Sequence, residues 1–197
     1  MPMNRRLILS GLALTLAAPA LIRPARADLP HPPLGEDGLH KPAWLHETFR
    51  DLRDDLDEAN AAGKRLLILV EQRGCIYCTR MHEQVYTDER IDRMLREDFM
   101  VVQMNLFGDV PVTDFDGTEL PERQMMRRWG VVFTPTMIFL PEVAPESGNA
   151  AQGASMVLPG AFERGTTRLM LQWVLERGYE GEEHFQHYVA RNLNAGN

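Results

Sequence analysis

The feature that most constrains this chain is the pair Cys75 and Cys78, which closely follows the apolar run 66–70. A helical pattern comes after the pair, so it is predicted to lie where a strand ends and a helix begins. Backbone N–H groups at a helix start favour negative charge, which makes the first thiol easier to ionise. Because the thiolate is the reactive form, this position indicates a redox-active dithiol.

The spacing of these cysteines, the two that the chain has, argues against three other uses. As a structural crosslink, a ring this short adds only about 2 kcal/mol of stability. A zinc site needs four ligands, and the sequence has no second cysteine pair. Covalent haem attachment needs histidine after the second cysteine, where Thr79 stands. Disulfide exchange needs two neighbouring thiols, and this spacing supplies them.

A metal-binding alternative stays open because His82 follows the cysteines at helical spacing. Ligands of this kind suit copper, as in a non-catalytic Cys/His metal-binding protein. The sequence offers no convincing fourth ligand. We therefore predict no metal and no cofactor, and we expect His82 to be a surface or partly buried residue of the helix.

Residues 1–27 have the pattern of an export signal peptide. An arginine pair at 5–6 begins it, the stretch 7–22 is apolar, and small residues at 25 and 27 offer a cleavage site. The apolar stretch is shorter than the roughly 20 residues that a membrane-spanning helix needs. The pattern predicts export to the periplasm by the Sec or the twin-arginine route, without stable membrane insertion of the mature chain. Disulfides persist in that compartment.

The charge of the chain argues against polyanionic partners. Its formal net charge is −7, from 21 basic and 28 acidic side chains. Without the four arginines of residues 1–27, 17 basic side chains face the same 28 acidic ones, which gives −11. A surface this acidic repels nucleic acid and anionic lipid, so neither is an expected partner.

The rest of the chain is predicted to form one domain with short appendages. Residues 28–42, rich in proline and glycine, are expected to be an extended linker, 43–178 the domain, and 179–197 a helical tail. The pattern predicts one helix over 43–63, a second from the cysteines to about residue 85, and a third that begins after a cap at residue 87 or 88. Two more helices are predicted over 121–129 and 166–177. Strands are predicted over 66–70, 99–106, 136–140 and 155–158. Strands alternating with helices, followed by two adjacent strands, indicate an α/β fold with a mixed central sheet flanked by helices.

An acidic stretch that contains Asp114, Asp116 and Glu119 has part of a calcium-loop pattern. It lacks the full set of ligands, so we predict a solvated hairpin with its turn at Asp116-Gly117. Its expected place beside the cysteines suits recognition of a partner protein.

A second informative motif is Thr134-Pro135-Thr136, in which proline stands immediately before an apolar strand. X-Pro bonds can be cis, although taken alone the motif indicates no more than a turn. Combined with the cysteine pair, it resembles the thioredoxin superfamily over roughly residues 43–178. The resemblance implies that Cys75 is the exposed nucleophile and Cys78 the resolving thiol. It further implies a cis Pro135 packed against them, and a substrate chain bound by the backbone at Thr134.

Within that superfamily the chain is most similar to the periplasmic SoxW-type thioredoxins of bacterial sulfur-oxidation clusters. The similarity lies in residues 74–78, 105–109, 112–117 and 133–136. It implies a reductant of disulfide-bearing periplasmic proteins, such as a sulfur-carrier protein, that is reloaded by a membrane thiol electron donor. A DsbA-like disulfide donor has the same motifs and runs in the opposite direction, so it stays an alternative.

One departure from cytosolic thioredoxin concerns the proton acceptor. Leu69 stands where thioredoxin buries an acid beneath the cysteines, and Glu71 lies two residues on, on the same strand face. Glu71 is a candidate proton acceptor. The stronger expectation is a partly solvated Glu71 in an ion pair.

Overall fold

A mixed four-stranded sheet forms the centre of the protein, in a computed structural model that describes residues 29–146 and 148–194. Across the sheet the order is β2 (Phe99–Asn105), β1 (Arg65–Glu71), β5 (Thr136–Phe139) and β6 (Met156–Pro159). β1 runs parallel to β2 and antiparallel to β5, and β5 runs antiparallel to β6. The predicted α/β architecture is confirmed. The predicted export signal lies outside the described residues.

Helices cover both faces of this sheet, and a hairpin lies beside it. In the described part of the chain the helices are α1 (Leu52–Ala61), α2 (Ile76–Arg80), α3 (Glu89–Glu97), α4 (Glu122–Trp129), α5 (Ala150–Gly153), α6 (Arg164–Leu175) and α7 (Phe185–Asn194). A π-helical turn, Met81–Val85, continues α2. The hairpin strands are β3 (Pro111–Thr113) and β4 (Glu119–Pro121). No helix of residues 29–146 and 148–194 is long and apolar enough to cross a bilayer.

Strand β1 is buried on both faces, which explains its uninterrupted apolar sequence. Leu67 and Leu69 face a core that also contains side chains of α3, α6 and α7. Residues 66, 68 and 70 alternate with them and face a second core, formed with α1 and α4. Both cores therefore hold the strand in place, and its last residue, Glu71, is positioned by rigid surroundings.

The first helix begins nine residues later than predicted. Asp51 accepts hydrogen bonds from the backbone N–H groups of residues 53 and 54 at 3.0 and 3.4 Å, so it caps α1 at Leu52. Arg50 has a positive φ of 60°, which a helix does not tolerate. Upstream, Trp44 is buried in the core opposite α1, while Phe49 is fully exposed. The predicted helix over 43–51 is wrong because this capping and packing outweigh the apolar spacing.

The segment expected to be a linker, 28–42, lies against the domain from residue 29 onward. Leu29 N–H donates to the Thr87 carbonyl at 3.0 Å. Leu39 is only 3% exposed, and the Lys41 ammonium reaches Gln103 Oε1 on β2 at 2.7 Å. These contacts bring the neighbouring His40 to the region where β1 ends. We call residues 29–42 the N-terminal segment below.

The helical tail packs on the domain. Trp173 of α6 contacts Phe185 of α7 with ring centroids 5.5 Å apart, and the Tyr188 hydroxyl lies 3.0 Å from the Glu176 carboxylate. The C-terminal helix is therefore part of the hydrophobic core and covers α6.

The acidic stretch forms the predicted hairpin, but one of its acids is not solvated. Asp114 is 1% exposed. Its carboxylate accepts from Arg128 Nη1 at 2.6 Å and from Trp129 Nε1 at 2.7 Å. The expectation of a solvated acid is therefore wrong for this residue, which joins the hairpin to α4.

Candidate active site

The two cysteines lie where β1 gives way to α2. Gly74 has a φ of +72°, which lets the chain turn sharply after the strand. Cys75 is the N-cap residue of α2, and Cys78 lies in its first turn. The two are joined in a disulfide with a Cα–Cα distance of 5.2 Å. The strand–cysteine–helix arrangement predicted from the spacing is the one observed.

The second motif lies against this disulfide. The Thr134–Pro135 peptide is cis. Thr134 Oγ1 lies 3.3 Å from Cys75 Sγ, and the Thr134 carbonyl oxygen lies 3.6 Å from the same sulfur. Gly160 N–H, at the end of β6, donates to the Pro135 carbonyl at 2.7 Å. Residues almost 60 positions apart in the chain thus form one site.

The two sulfurs have different surroundings. Cys75 is 8% exposed and Cys78 only 2%. Cys78 N–H donates to Cys75 Sγ at 3.0 Å, and the Thr134 hydroxyl is a second donor to that sulfur. In the reduced protein these donors stabilise negative charge on Cys75, as hydrogen bonds to a charged group do. The geometry therefore favours Cys75 as the attacking sulfur.

Glu71 is fully buried, with 1% of its surface exposed, so the expectation of a partly solvated ion pair is wrong. Its carboxylate accepts a hydrogen bond from Gln103 Nε2 at 2.6 Å. It also lies 2.9 and 3.1 Å from Nε2 of His82. A buried carboxylate needs such partners, because an unpaired charge is costly in a low-dielectric interior.

His82 is also completely buried, in contrast to its expected place at or near the surface. It lies in the π-helical turn, where the Tyr86 N–H donates to the Met81 carbonyl five residues back. Its ring stacks on His40 at a centroid distance of 4.5 Å and meets Tyr86 edge-on at 5.1 Å. Since its Nε2 faces Glu71, His82 is engaged with the strand rather than with the sulfurs.

The N-terminal segment completes these surroundings, which the sequence motifs did not reveal. Gln103 donates to the His40 carbonyl at 2.9 Å and accepts from Lys41 at 2.7 Å. In the sequence, the one signal of these contacts is Gln103, a polar residue inside an otherwise apolar strand. Arg73 also contacts this segment, since it donates to the carbonyls of residues 36 and 37 at 3.0 and 3.1 Å.

One cavity is lined by the disulfide, and a second is lined by Thr134, whose hydroxyl contacts Cys75 Sγ. One, of about 290 Å³, is lined by both cysteines together with Glu71, His40 and Glu83. The other, of about 410 Å³, lies between α2 and the cis peptide and is lined by Tyr77, Arg80, Phe133 and residues 159–161 among others. The first therefore connects the two cysteines to the buried acid, and the second is a groove between α2 and Thr134.

Exposed apolar side chains lie on the segments around the disulfide. Ile76 is 73% exposed and Tyr77 56%, and both lie between the cysteines. Val132 and Phe133, immediately before Thr134, are 68% and 67% exposed.

Among residues 29–146 and 148–194, no group of three or more histidine, cysteine, aspartate or glutamate side chains is arranged to hold a metal ion.

Comparison with known proteins agrees with this architecture. A thioredoxin-fold protein from Helicobacter pylori is similar with a TM-score of 0.52 at 16% identity, over 68% of this chain and 86% of that one. A thioredoxin from Thermus thermophilus gives 0.49 at 24% identity, over 68% and 95%. The C-terminal domain of Neisseria meningitidis DsbD gives 0.39 at 14%, over 64% and 92%. At such identities the likeness to the first concerns the fold alone.

No protein with a curated description matches the sequence. The model of the thioredoxin-like domain family matches residues 52–153, just over half of the 197-residue chain. That range contains β1, the cysteine pair and the cis peptide. The chain belongs to the thioredoxin-like domain family.

Proposed function

We propose that this protein is a periplasmic thiol–disulfide oxidoreductase that reduces disulfides of extracytoplasmic partner proteins, as a SoxW-like thioredoxin. The observation that carries the proposal is the Cys75–Cys78 disulfide at the start of α2, with the Cys75 sulfur 3.3 Å from Thr134 Oγ1. Two cysteines three residues apart form and release such a bond readily, because each is always within reach of the other.

The reaction follows from the different surroundings of the two sulfurs. In the reduced protein the Cys75 thiolate attacks one sulfur of a partner's disulfide, and the other partner sulfur leaves as a thiolate. Cys78 then loses its proton and attacks Cys75 in the mixed disulfide. The partner's second sulfur leaves with the electron pair, and the Cys75–Cys78 bond remains. The partner gains two electrons from this protein. A membrane thiol donor must then supply two electrons to reduce the Cys75–Cys78 disulfide again.

The exposed apolar side chains favour a protein as the partner. Large apolar side chains exposed together mark surfaces that bind other proteins. Four of them, at 76, 77, 132 and 133, flank the cysteines or Thr134. Thr134 borders the groove in which we propose that the partner's chain binds, and the cis peptide joins it to Pro135. A sulfur-carrier protein is the partner class that the SoxW likeness favours.

The location outside the cytoplasm is proposed from the N-terminal pattern. Residues 1–27 combine an arginine pair, an apolar stretch and small residues at 25 and 27. A disulfide couple that must cycle also suits a compartment where oxidised cysteines persist.

The reduction potential of the Cys75–Cys78 couple tests this proposal. The protein is equilibrated with graded ratios of reduced to oxidised dithiothreitol, and its free thiols are alkylated and counted by mass spectrometry. We expect one reversible two-electron transition below about −220 mV, in the range of reducing thioredoxins. A potential of about −120 mV, that of a strong oxidant, would make the protein a disulfide donor instead.

A further inference from the structure

A short hairpin within the N-terminal segment reaches the disulfide. Leu34 pairs with His40 in an antiparallel bridge, and two backbone hydrogen bonds of 2.8 Å flank that bridge. We call residues 33–41 the N-terminal hairpin. It lies outside residues 52–153, which the model of the thioredoxin-like domain family matches. The hairpin is therefore an addition to the matched domain.

The N-terminal hairpin is held against the residues just before the cysteines. Arg73 donates to two of its backbone carbonyls. Gly38, with a φ of +74°, packs on the same side chain, since a Cβ at this position would lie 2.6 Å from Arg73 Nε. Glycine has no Cβ, so the turn can approach this closely. Since Leu39 is also buried, the hairpin has a fixed place two residues away from Cys75.

The N-terminal hairpin forms one wall of the cavity of about 290 Å³. Leu34 and Leu39 line this cavity together with Cys75 and Cys78. Leu34 is 63% exposed, so most of its apolar surface is uncovered in the described part of the chain. The cavity beside Thr134 has no described lining residue in common with this one. The disulfide therefore has a separate, partly apolar recess on its hairpin side.

The exchange reaction determines which group of a partner comes to this recess. In a mixed disulfide the partner's sulfur lies about 2 Å from Cys75 Sγ. Neighbouring residues of an extended chain are only about 3.5 Å apart, so the side chains next to the partner's cysteine lie close to Cys75. The recess has room for one such side chain, and the two leucines of the hairpin favour an apolar one.

We propose that the N-terminal hairpin is a specificity element that binds, in this recess, an apolar side chain next to the attacked cysteine of the partner protein. The inference rests on the proposed exchange reaction and adds one feature of its substrates. Cys75 and Cys78 perform the chemistry. Leu34 takes no part in bond exchange and selects among substrates by its contact with the neighbouring side chain.

Two synthetic peptides test this selection. Each has the sequence Gly-Xaa-Cys-Xaa-Gly, with leucine or glycine as Xaa, and its cysteine is joined by a disulfide to thionitrobenzoate. In the reduced protein the Cys75 thiolate attacks the peptide's sulfur. The bond between peptide and thionitrobenzoate breaks, and thionitrobenzoate leaves with the electron pair because it is the more acidic thiol. Absorbance gives the rate, and the selectivity is the leucine rate divided by the glycine rate.

In the wild type the leucine peptide is expected to react about tenfold faster than the glycine peptide. In Leu34→Ser this selectivity should fall by about threefold or more, with an unchanged rate for the glycine peptide. Leu34→Met keeps an apolar side chain and should keep the wild-type selectivity. Val143→Ser is the matched control and should equal the wild type. Val143 is 78% exposed and follows the end of β5 that pairs with the start of β1, away from the cysteines.

An unchanged selectivity in Leu34→Ser would overturn the inference, as would a wild-type selectivity close to one. Equal slowing of both peptides in that variant would also contradict it, because the hairpin would then act on the reaction and not on the choice of substrate. In each of these cases Cys75 still reacts, so the proposed function stands. If the wild type reacted with neither peptide, the exchange reaction itself would be contradicted, and the inference with it.

Discussion

The Cys75→Ser variant should reduce insulin with dithiothreitol at least about a thousandfold more slowly than the wild type, since it lacks the attacking sulfur. Serine cannot form a disulfide, and its hydroxyl does not ionise near neutral pH. Cys78, 2% exposed, cannot take over the attack on a protein substrate. The rate is followed by the turbidity of the released insulin B chain.

Two further variants make this experiment specific. Thr79→Ser, next to the disulfide, tests whether any small change in α2 has the same effect, and we expect its rate to match the wild type. Cys78→Ser should also fail to turn over, but it should still react once at Cys75. A Cys75→Ser variant with substantial activity would mean that Cys78, or no cysteine, performs the chemistry.

Asp114→Ala should lower the free energy of unfolding by about 3–5 kcal/mol, because it removes the partner of buried donors. Besides Arg128 and Trp129, this carboxylate accepts from the backbone N–H groups of Phe115 and Ala150 at 2.8 and 3.0 Å. One side chain thus joins the β3–β4 hairpin, α4 and α5. Urea denaturation measures the change from the shift in midpoint at constant slope.

The matched control for that prediction is Asp116→Ala. Asp116 contacts the same guanidinium of Arg128, but its side chain is 34% exposed and its contacts lie at the surface. Exposed ion pairs contribute little, so this variant should unfold close to the wild type. Equal denaturation midpoints for the two variants would contradict the prediction, because the buried contacts of Asp114 would then contribute nothing to the free energy of unfolding.

The parts of the fold that the sequence predicted are those with a local cause. β1 contains five buried apolar residues in a row, 66–70, and the glycine and cysteines after it allow a turn into a helix. The predicted helix over 43–51 is wrong because the N-cap at Asp51 and the positive φ at Arg50 are properties of two single residues. The spacing of apolar residues contains no information about either property.

The surroundings of the disulfide were the least predictable part. Glu71 meets His82 eleven residues later and Gln103 thirty-two residues later. His82 lies in a π-helical turn, which the spacing of residues in a regular helix does not predict. His40 and Lys41 belong to a segment whose composition indicates a linker, and only its packing shows its place beside the site.

The most direct test of the central claim is capture of a partner by the Cys78→Ser variant. The claim is that Cys75 attacks a partner's disulfide and that Cys78 releases it. Purified under non-reducing conditions, this variant should be joined to other proteins by a bond that peptide mass spectrometry places at Cys75 and that dithiothreitol breaks. The double variant Cys75→Ser/Cys78→Ser should capture nothing. Equal amounts of captured protein in both variants, or none in either, would contradict the account.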